Sequence, residues 1–483
     1  MTAPETSASL RVLTPRQRQL ATLYRGQGLP RPSGRAPSVA VVGAGLAGLT
    51  ATHLLAQAGC AATLFEANER VGGRIYSARG RGDAREVWEL GGEFIDSDHD
   101  DMHALADALD LEIFDTLPAG EDAYATAYRF GGQSYSEAQV EAAFAEIAPR
   151  IAADVAAISA RPGYQTSSEA DRRFDRLSIA EYLDGLRLDR WLHQLIEVAY
   201  ITVYGLDAGE QSALNLLTLI GTDLDGGFEI FGQSDERYKV RGGSQQLTDA
   251  LARAVGARVV LGRRLVRLRR SANGWVLGFE RGADAHADAV VLALPFTLLR
   301  QVDLGDLLPP AKRLAVDTLG YGTSSKLMLG TRRRLWRDQG FDGGCYTDSA
   351  LQTSWDCSRL RGGDGGVFTV FLGGRESVAL GQGDEASQAT RHAALADAVF
   401  PGLAAEWTGE ARRIHWPSEP YALGAYTCYR PGQWTAFGGS EIEPLPGGLY
   451  FAGEHCATVS QGYMNGAAET GREAALAILQ RAS

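Results

Sequence analysis

The chain has 483 residues, 45% of them hydrophobic and 22% charged, with a formal net charge of −12. That length exceeds one ordinary core, so two or more domains are expected. The acidic balance argues against a nucleic-acid partner, which asks for a basic face, and no apolar run approaches the roughly 18 residues of a membrane-spanning helix.

Residues 28–38 (GLPRPSGRAPS) read as a linker, so residues 1–37 are an arm and folded structure is expected from about Ser38. No hydrophobic signal segment is readable in residues 1–36. The five cysteines, Cys60, Cys345, Cys357, Cys428 and Cys456, form no CxxC pair. Such a set fits a reducing compartment, and a cytoplasmic location is the expectation. Residues 38–43 are a short apolar strand, 46–58 an Ala/Leu-rich helix, and 61–66 (AATLFE) a second strand. The stretches 71–77 and 87–96 are strand-like and interrupted by glycine pairs. From about 100 to 240 the apolar spacing turns helical, which predicts a helical insertion. At 239–270 α/β character returns. The run RRLVRLRR (263–270) reads as a two-sided strand with solvated arginines. ADAVVLALP (287–295) is a buried strand stopped by proline. YGTSSKLMLG (321–330) and GVFTVFLG (366–373) predict strands of a second sheet. Residues 447–479 read as strand, glycine-rich turn and long helix.

The first β-α-β unit carries G-A-G-L-A-G. Gly43 permits the tight turn, Gly45 lets a pyrophosphate approach the backbone, and Gly48 lets helix and strand pack closely. The helix N-terminus then presents unpaired N–H groups to the phosphates. Glu66 follows Gly43 by 23 residues, where a carboxylate accepts ribose hydroxyls and repels a 2′-phosphate. A dinucleotide without that phosphate is expected. Arg74, after the glycine pair in E-A-N-E-R-V-G-G-R (66–74), is placed to pair with a diphosphate.

That extension, with Glu66, Ala67 and Arg74, resembles the flavin-binding segment of the family containing monoamine oxidases, polyamine oxidases and L-amino acid oxidases. Y-F-A-G-E-H (450–455) and G-Y-M-N-G-A (462–467) resemble its closing FAD motif. The resemblance implies that Gly453 and Glu454 contact the FAD ribityl or diphosphate region and that the main chain near Met464 faces the flavin. It also implies a backbone clamp on adenine near Leu265 or its neighbour Val266, and cofactor contacts from Gly91, Gly92 and Glu93. Lys326 matches the family's flavin-facing lysine, which holds a water near flavin N5. Tyr426 and Tyr463 match two aromatics that flank the substrate amine. Lys326, Tyr426 and Tyr463 are therefore the expected catalytic set, and Phe94, Tyr426 and Tyr463 the expected substrate contacts. His415 and His455 are each lone and read as structural, and no metal site is expected.

Two departures from the family pattern carry information. Ala425 stands where monoamine oxidases attach FAD through cysteine, and Cys428 is out of register, so the FAD is expected to be non-covalent. Phe94 stands in the segment where many L-amino acid oxidases carry an arginine for the substrate carboxylate. Glu93 could meet a basic substrate or be a buried structural acid.

The expected fold is α/β. A Rossmann-like FAD-binding domain is assembled from residues 38–100, 239–300 and 426–483. Residues 101–238 are the helical insertion, and 301–425 a mixed-sheet substrate domain. The expected activity is FAD-dependent oxidative deamination of a primary amine, either a monoamine or an L-α-amino acid. Hydride passes to flavin N5, and O₂ regenerates the flavin with release of H₂O₂. A monooxygenase, a desaturase or a non-catalytic FAD-binding protein on the same scaffold are the alternatives. The expected partners are the small-molecule substrate and O₂, with no membrane, and a homodimer is a common state in this family.

Overall fold

The computed structural model describes residues 12–483 apart from 81–85, 118, 119, 226 and 361. The elements that position the site begin with α1 (Pro15–Tyr24), β1 (Ser38–Val42), α2 (Leu46–Gln57), β2 (Ala61–Phe65) and α3 (Asp100–Ala108). Next come β3 (Ala125–Phe130), β4 (Gln133–Tyr135), α4 (Arg190–Tyr204), α5 (Gln245–Val255), β5 (Val259–Val260) and β6 (Ala289–Leu292). The last third contributes β7 (Ser325–Thr331), β8 (Phe341–Thr347), β9 (Thr353–Asp356) and β10 (Gly366–Leu372). It ends with β11 (Trp407–His415), β12 (Leu449–Phe451) and α6 (Met464–Ala482).

Five parallel strands form one sheet in the order β12-β6-β1-β2-β5. Its central strand β1 is apolar on both faces, as a covered parallel sheet requires. Val39 and Val41 face a core shared with α2, α5 and α6. Ala40 and Val42 face a second core shared with Trp275 and Leu277 of the antiparallel ribbon 265–287. The strands come from three separated stretches of chain, so the α/β, three-piece dinucleotide architecture is present.

The second sheet has seven strands in the order β11-β7-β10-β9-β8-β3-β4. All its pairings are antiparallel except β8 with β3. This sheet corrects the boundary of the helical insertion. Residues 101–238 do contain helices packed in their own core, but β3 and β4 leave that segment to extend the substrate sheet. Tyr128 pairs with Tyr346 across β3 and β8. The sequence A-T-A-Y-R-F alternates on a scale of six residues, too short to stand out beside long helical runs.

The N-terminal arm also differs from its expectation. Residues 1–11 lie outside the described residues, but folded structure begins well before Ser38. Thr14 and Gln17 form a reciprocal capping box, with Pro15 at the first helical position of α1. α1 packs on α3. The Tyr24 hydroxyl donates to Asp101, which Arg472 of α6 also grips through two bonds of 2.6 and 3.1 Å. The Tyr24 carbonyl accepts from His53 of α2 at 3.0 Å. The arm is thus tied to three helices of the dinucleotide layer.

Asp101 is 2% exposed, so removing its charge strands the Arg472 guanidinium. Asp101→Asn is expected to cost about 3 kcal/mol of stability, typical of a broken buried pair. Thermal and urea unfolding would check this; a change below about 1 kcal/mol would show the arm's tether to be unimportant.

Candidate active site

A single cavity of about 730 Å³ runs from the glycine turn after β1 to the second sheet. Gly43, Gly45, Glu66, Ala67 and Arg74 line its first half, with Gly91, Gly92, Glu93, Gly453, Glu454 and Met464. Phe94, Lys326, Tyr426 and Tyr463 lie on the same wall system. Gly48 and Leu265 are the two expected site residues that do not.

Gly48 acts beneath the cavity. A Cβ there would come 1.9 Å from the Gly43 carbonyl oxygen, so helix and strand could not keep their approach. Gly43 holds φ +102°, and a Cβ there would meet the Ala293 carbonyl oxygen at 2.5 Å. Gly45 differs: a Cβ would find nothing within 4 Å, because the residue faces open cavity. It caps α2 without any side-chain bond, so the first-turn amides remain available. Leu265 is buried in the second core and opens only on a small side cleft that it shares with Gly43, Ala67 and Leu294.

Glu66 bends back on the turn it serves. Its two oxygens accept the amides of Ala44 and Asn68, each at 2.7 Å. Burial pushes its carboxyl up, against these bonds. Arg74 pairs with Glu454 at 2.7 Å and donates to the Ala425 carbonyl at 2.5 Å. Glu454 in turn accepts the Gly462 amide at 3.0 Å. A Cβ on Gly92 would meet the Met464 sulfur at 2.8 Å, so the Met464 side chain packs directly on the Gly92 backbone. The uncapped helix start, the open face of Gly45 and the cationic Arg74 on the same wall fit a dinucleotide diphosphate.

At the junction of the halves lies a buried ionic triad. Glu93 accepts Lys239 Nζ at 2.7 Å on Oε1 and Lys326 Nζ at 2.8 Å on Oε2. Trp355 Nε1 adds a 3.3 Å bond to Oε1. Lys326 also donates to the Glu89 and Gly91 carbonyls at 3.0 and 2.9 Å. Of the two readings open for Glu93, the geometry is that of the structural acid. Lys239 escaped the sequence reading. Its one signal is a lysine in the short Y-K-V strand ahead of G-G-S-Q-Q-L.

Beyond the triad the wall is aromatic. Phe94 meets Trp355 edge-on with centroids 5.7 Å apart. The Tyr426 hydroxyl accepts from Ser324 at 3.2 Å and donates to the Thr202 carbonyl at 3.4 Å. The Tyr463 hydroxyl donates to Ser234 at 3.1 Å, and its ring meets His99 edge-on at 5.0 Å. Burial raises both phenols, so both remain protonated. Among the described residues Asp96, Asp98 and His99 bring potential ligand atoms within 4.8 Å of one another, a convergence the sequence did not suggest. Asp96 is already engaged there, accepting from Ser234 at 2.7 Å and the Glu236 amide at 3.0 Å. His455 is fully buried with neither ring nitrogen hydrogen-bonded, and burial drops it to about 4. It packs edge-on to Phe296, consistent with a neutral structural ring.

The chain belongs to the flavin-containing amine oxidoreductase family, whose model matches residues 46–479. It is 25% identical over 459 residues to an L-amino acid dehydrogenase of Synechocystis, covering 91% of this chain and 94% of that protein. It is also 25% identical to a flavin-containing amine oxidase of Danio rerio, covering 91% and 85%. Its fold matches putrescine oxidase bound to putrescine with a TM-score of 0.79 at 22% identity, over 92% of this chain and 99% of that one. Cyclohexylamine oxidase from Brevibacterium oxydans matches with a TM-score of 0.80 at 21% identity and the same coverage. The cofactor is therefore FAD. Among the described residues no helix is long and apolar enough to cross a membrane.

Burial alone would push Glu93 up, but Lys239 and Lys326 outweigh it and hold its carboxyl at about 2, below the ordinary 4.5. A folded value below the unfolded one gives stability that is present above the unfolded value and lost as pH falls through the folded one. A shift of this size corresponds to about 3 kcal/mol. The stability gap between wild type and Glu93→Gln is expected to be widest near neutrality and to narrow between about pH 5 and 2. Denaturant titrations across that window would show it; a gap independent of pH would mean the carboxylate is not ionised as drawn.

Proposed function

We propose that the protein catalyses FAD-dependent oxidative deamination of a small primary amine. One observation carries the preference for an amine over an L-α-amino acid. Among the described residues, each cation on the substrate half is already in an ion pair: Lys239 and Lys326 with Glu93, and Arg359 with Asp342 at 2.9 Å. A substrate carboxylate would have to displace an acceptor already held by one of these cations to be hydrogen-bonded.

The side chains have separable tasks. Tyr426 and Tyr463 present apolar ring faces and are held by hydroxyl bonds at their far ends. Such a slot desolvates an amine and favours its neutral form. Lys326, held by Glu93 and two carbonyls, places a fixed positive charge beside Gly91. Phe94 and Trp355 keep water from the junction. Bound FAD supplies the redox chemistry, taking up the hydride equivalent of the substrate Cα–H bond. The resulting imine hydrolyses to an aldehyde and ammonia. Reoxidation by O₂ gives H₂O₂. No side-chain nucleophile is required.

The second reading, an L-α-amino acid substrate, has support from the Synechocystis relative's name and from Arg359 on the cavity wall. It requires Arg359 to exchange Asp342 for the substrate. Matched pairs decide between the two: phenethylamine against L-phenylalanine, and tyramine against L-tyrosine. Peroxide and ammonia from the amines, with the amino acids slower by about tenfold or more, is the expected result. Turnover of the amino acids alone would overturn it. Flavin reduction without peroxide, restored by an artificial acceptor, would mark a dehydrogenase.

Ala425 lines the cavity, while Cys428 is fully buried and held by Asn215 at 3.7 Å. A thiol so placed does not reach the flavin. Acid precipitation of the purified protein is expected to leave all the flavin in the supernatant; yellow colour in the pellet would contradict this.

A further inference from the structure

Glu236 is an acid of the cavity wall that the reading above leaves without a task. It is exposed by area, yet protein surrounds it closely enough that burial, then Asp96 and Glu93, push its carboxyl up to about 8. The two facts agree because its accessible surface is cavity wall. Its amide donates to Asp96, but its carboxylate has no hydrogen bond or ion pair among the described residues. Its backbone sits at φ +43°, a region unfavourable for a non-glycine residue, and such strain concentrates at functional sites.

The groups that face it are Asp96, Asp235 and Glu93, all acidic, and Lys326, which is committed to Glu93. Among the described residues no cation forms an ion pair with Glu236, and Lys326 only partly offsets the acids around it. Its charge reaches the phenols of Tyr426, Tyr463 and Tyr346, so it stands within electrostatic range of the amine slot. Glu229 on the same wall adds to the acidic character.

We infer that Glu236 recognises a second, distal cation on the substrate, an ammonium or guanidinium carried along the chain from the carbon that is oxidised. The inference rests on the amine-oxidation reading and names its substrate class. The reacting amine is held neutral between the tyrosines, while the far end stays charged against the Glu236 carboxylate. A cation there replaces the missing partner and favours the ionised acid. Two sources share this chemistry: α,ω-diamines and basic amino acids.

The test uses the FAD-loaded full chain, wild type, E236Q and E236D, with flavin content and thermal stability measured for each. Substrates come as cationic and neutral partners: 1,4-diaminobutane with butylamine, and L-lysine with L-norleucine. In the wild type the cationic member of one pair is expected to exceed its neutral partner in kcat/KM by about tenfold or more. E236Q is expected to collapse that ratio mainly through KM, and E236D to restore part of it. The responding pair identifies the source. A wild-type ratio near one in both pairs overturns the inference without any variant. An equal loss for both partners in E236Q also overturns it, because Glu236 would then serve the reacting amine. Anaerobic titrations separate this from the amine-oxidation reading. If 1,4-diaminobutane perturbs the flavin spectrum without reducing it, and E236Q weakens that binding, oxidation fails and the cation site stands. If butylamine reduces the flavin as readily as the diamine, oxidation stands and the cation site fails.

Discussion

One carboxylate shared between two ammonium groups holds this site together. Glu93, Lys239 and Lys326 come from the first dinucleotide piece, the return from the insertion, and β7, next to the edge of the second sheet. All three are buried, at 3%, 7% and 6% exposure. Any one of them alone would be a stranded charge in a medium that cannot hydrate it. Together they carry a net single positive charge, and Trp355 and the Glu89, Gly91 and Cys357 carbonyls satisfy much of the remaining hydrogen-bonding capacity. The triad therefore fixes where three parts of the chain meet. Through Gly91 it holds the neighbouring Gly92, against which the side chain of Met464 at the start of α6 packs.

The two halves of the cavity recognise their ligands by opposite means. In the dinucleotide half the backbone does the work, and side chains are removed to let it approach. Gly43 and Gly48 are required by the backbone oxygens that a Cβ would meet at 2.5 and 1.9 Å, and Gly45 leaves open room. In the substrate half the wall is made of rings whose polar ends are anchored away from the slot. Tyr426 and Tyr463 are held by Ser324, Thr202 and Ser234, residues from three distant stretches. A rigid backbone cradle suits an invariant cofactor, whereas an aromatic wall with few committed polar groups lets small substitutions change what is admitted.

The dinucleotide half was legible in the sequence because its requirements are local. The spacing of Gly43, Gly45 and Gly48, the acid at Glu66 and the glycine pairs are short-range consequences of one turn geometry. Lys326, Tyr426 and Tyr463 were placed by resemblance, and the structure brings them to one wall. What the sequence hid depends on long-range contact. Lys239 is an unremarkable lysine until Glu93 is seen 2.7 Å away. β3 and β4 are short, and their strand character is fixed by pairing with β8 far along the chain. α1 sat behind a Pro/Gly-rich stretch that reads as a linker, and its fixation comes from Asp101 and Arg472. Leu265 turns its side chain into the core, and the contact expected of it or Val266 is through the main chain.

Lys326 illustrates how a family role narrows once geometry is known. The resemblance gives its ammonium a water to hold near the flavin. An ammonium has three protons, and here all three have acceptors: two carbonyls and the Glu93 carboxylate, at 2.8 to 3.0 Å. A water at this nitrogen must share a proton with one of them or displace it. The contribution that needs no displacement is electrostatic. A positive charge fixed in a dry junction favours any species in which electrons have arrived nearby, whether on a reduced ring or on an oxygen molecule receiving them. Glu93 limits that field, and Lys239 compensates for the limit by supplying the second positive charge. The pair of lysines is thus the condition under which one buried carboxylate can orient Lys326 without cancelling it.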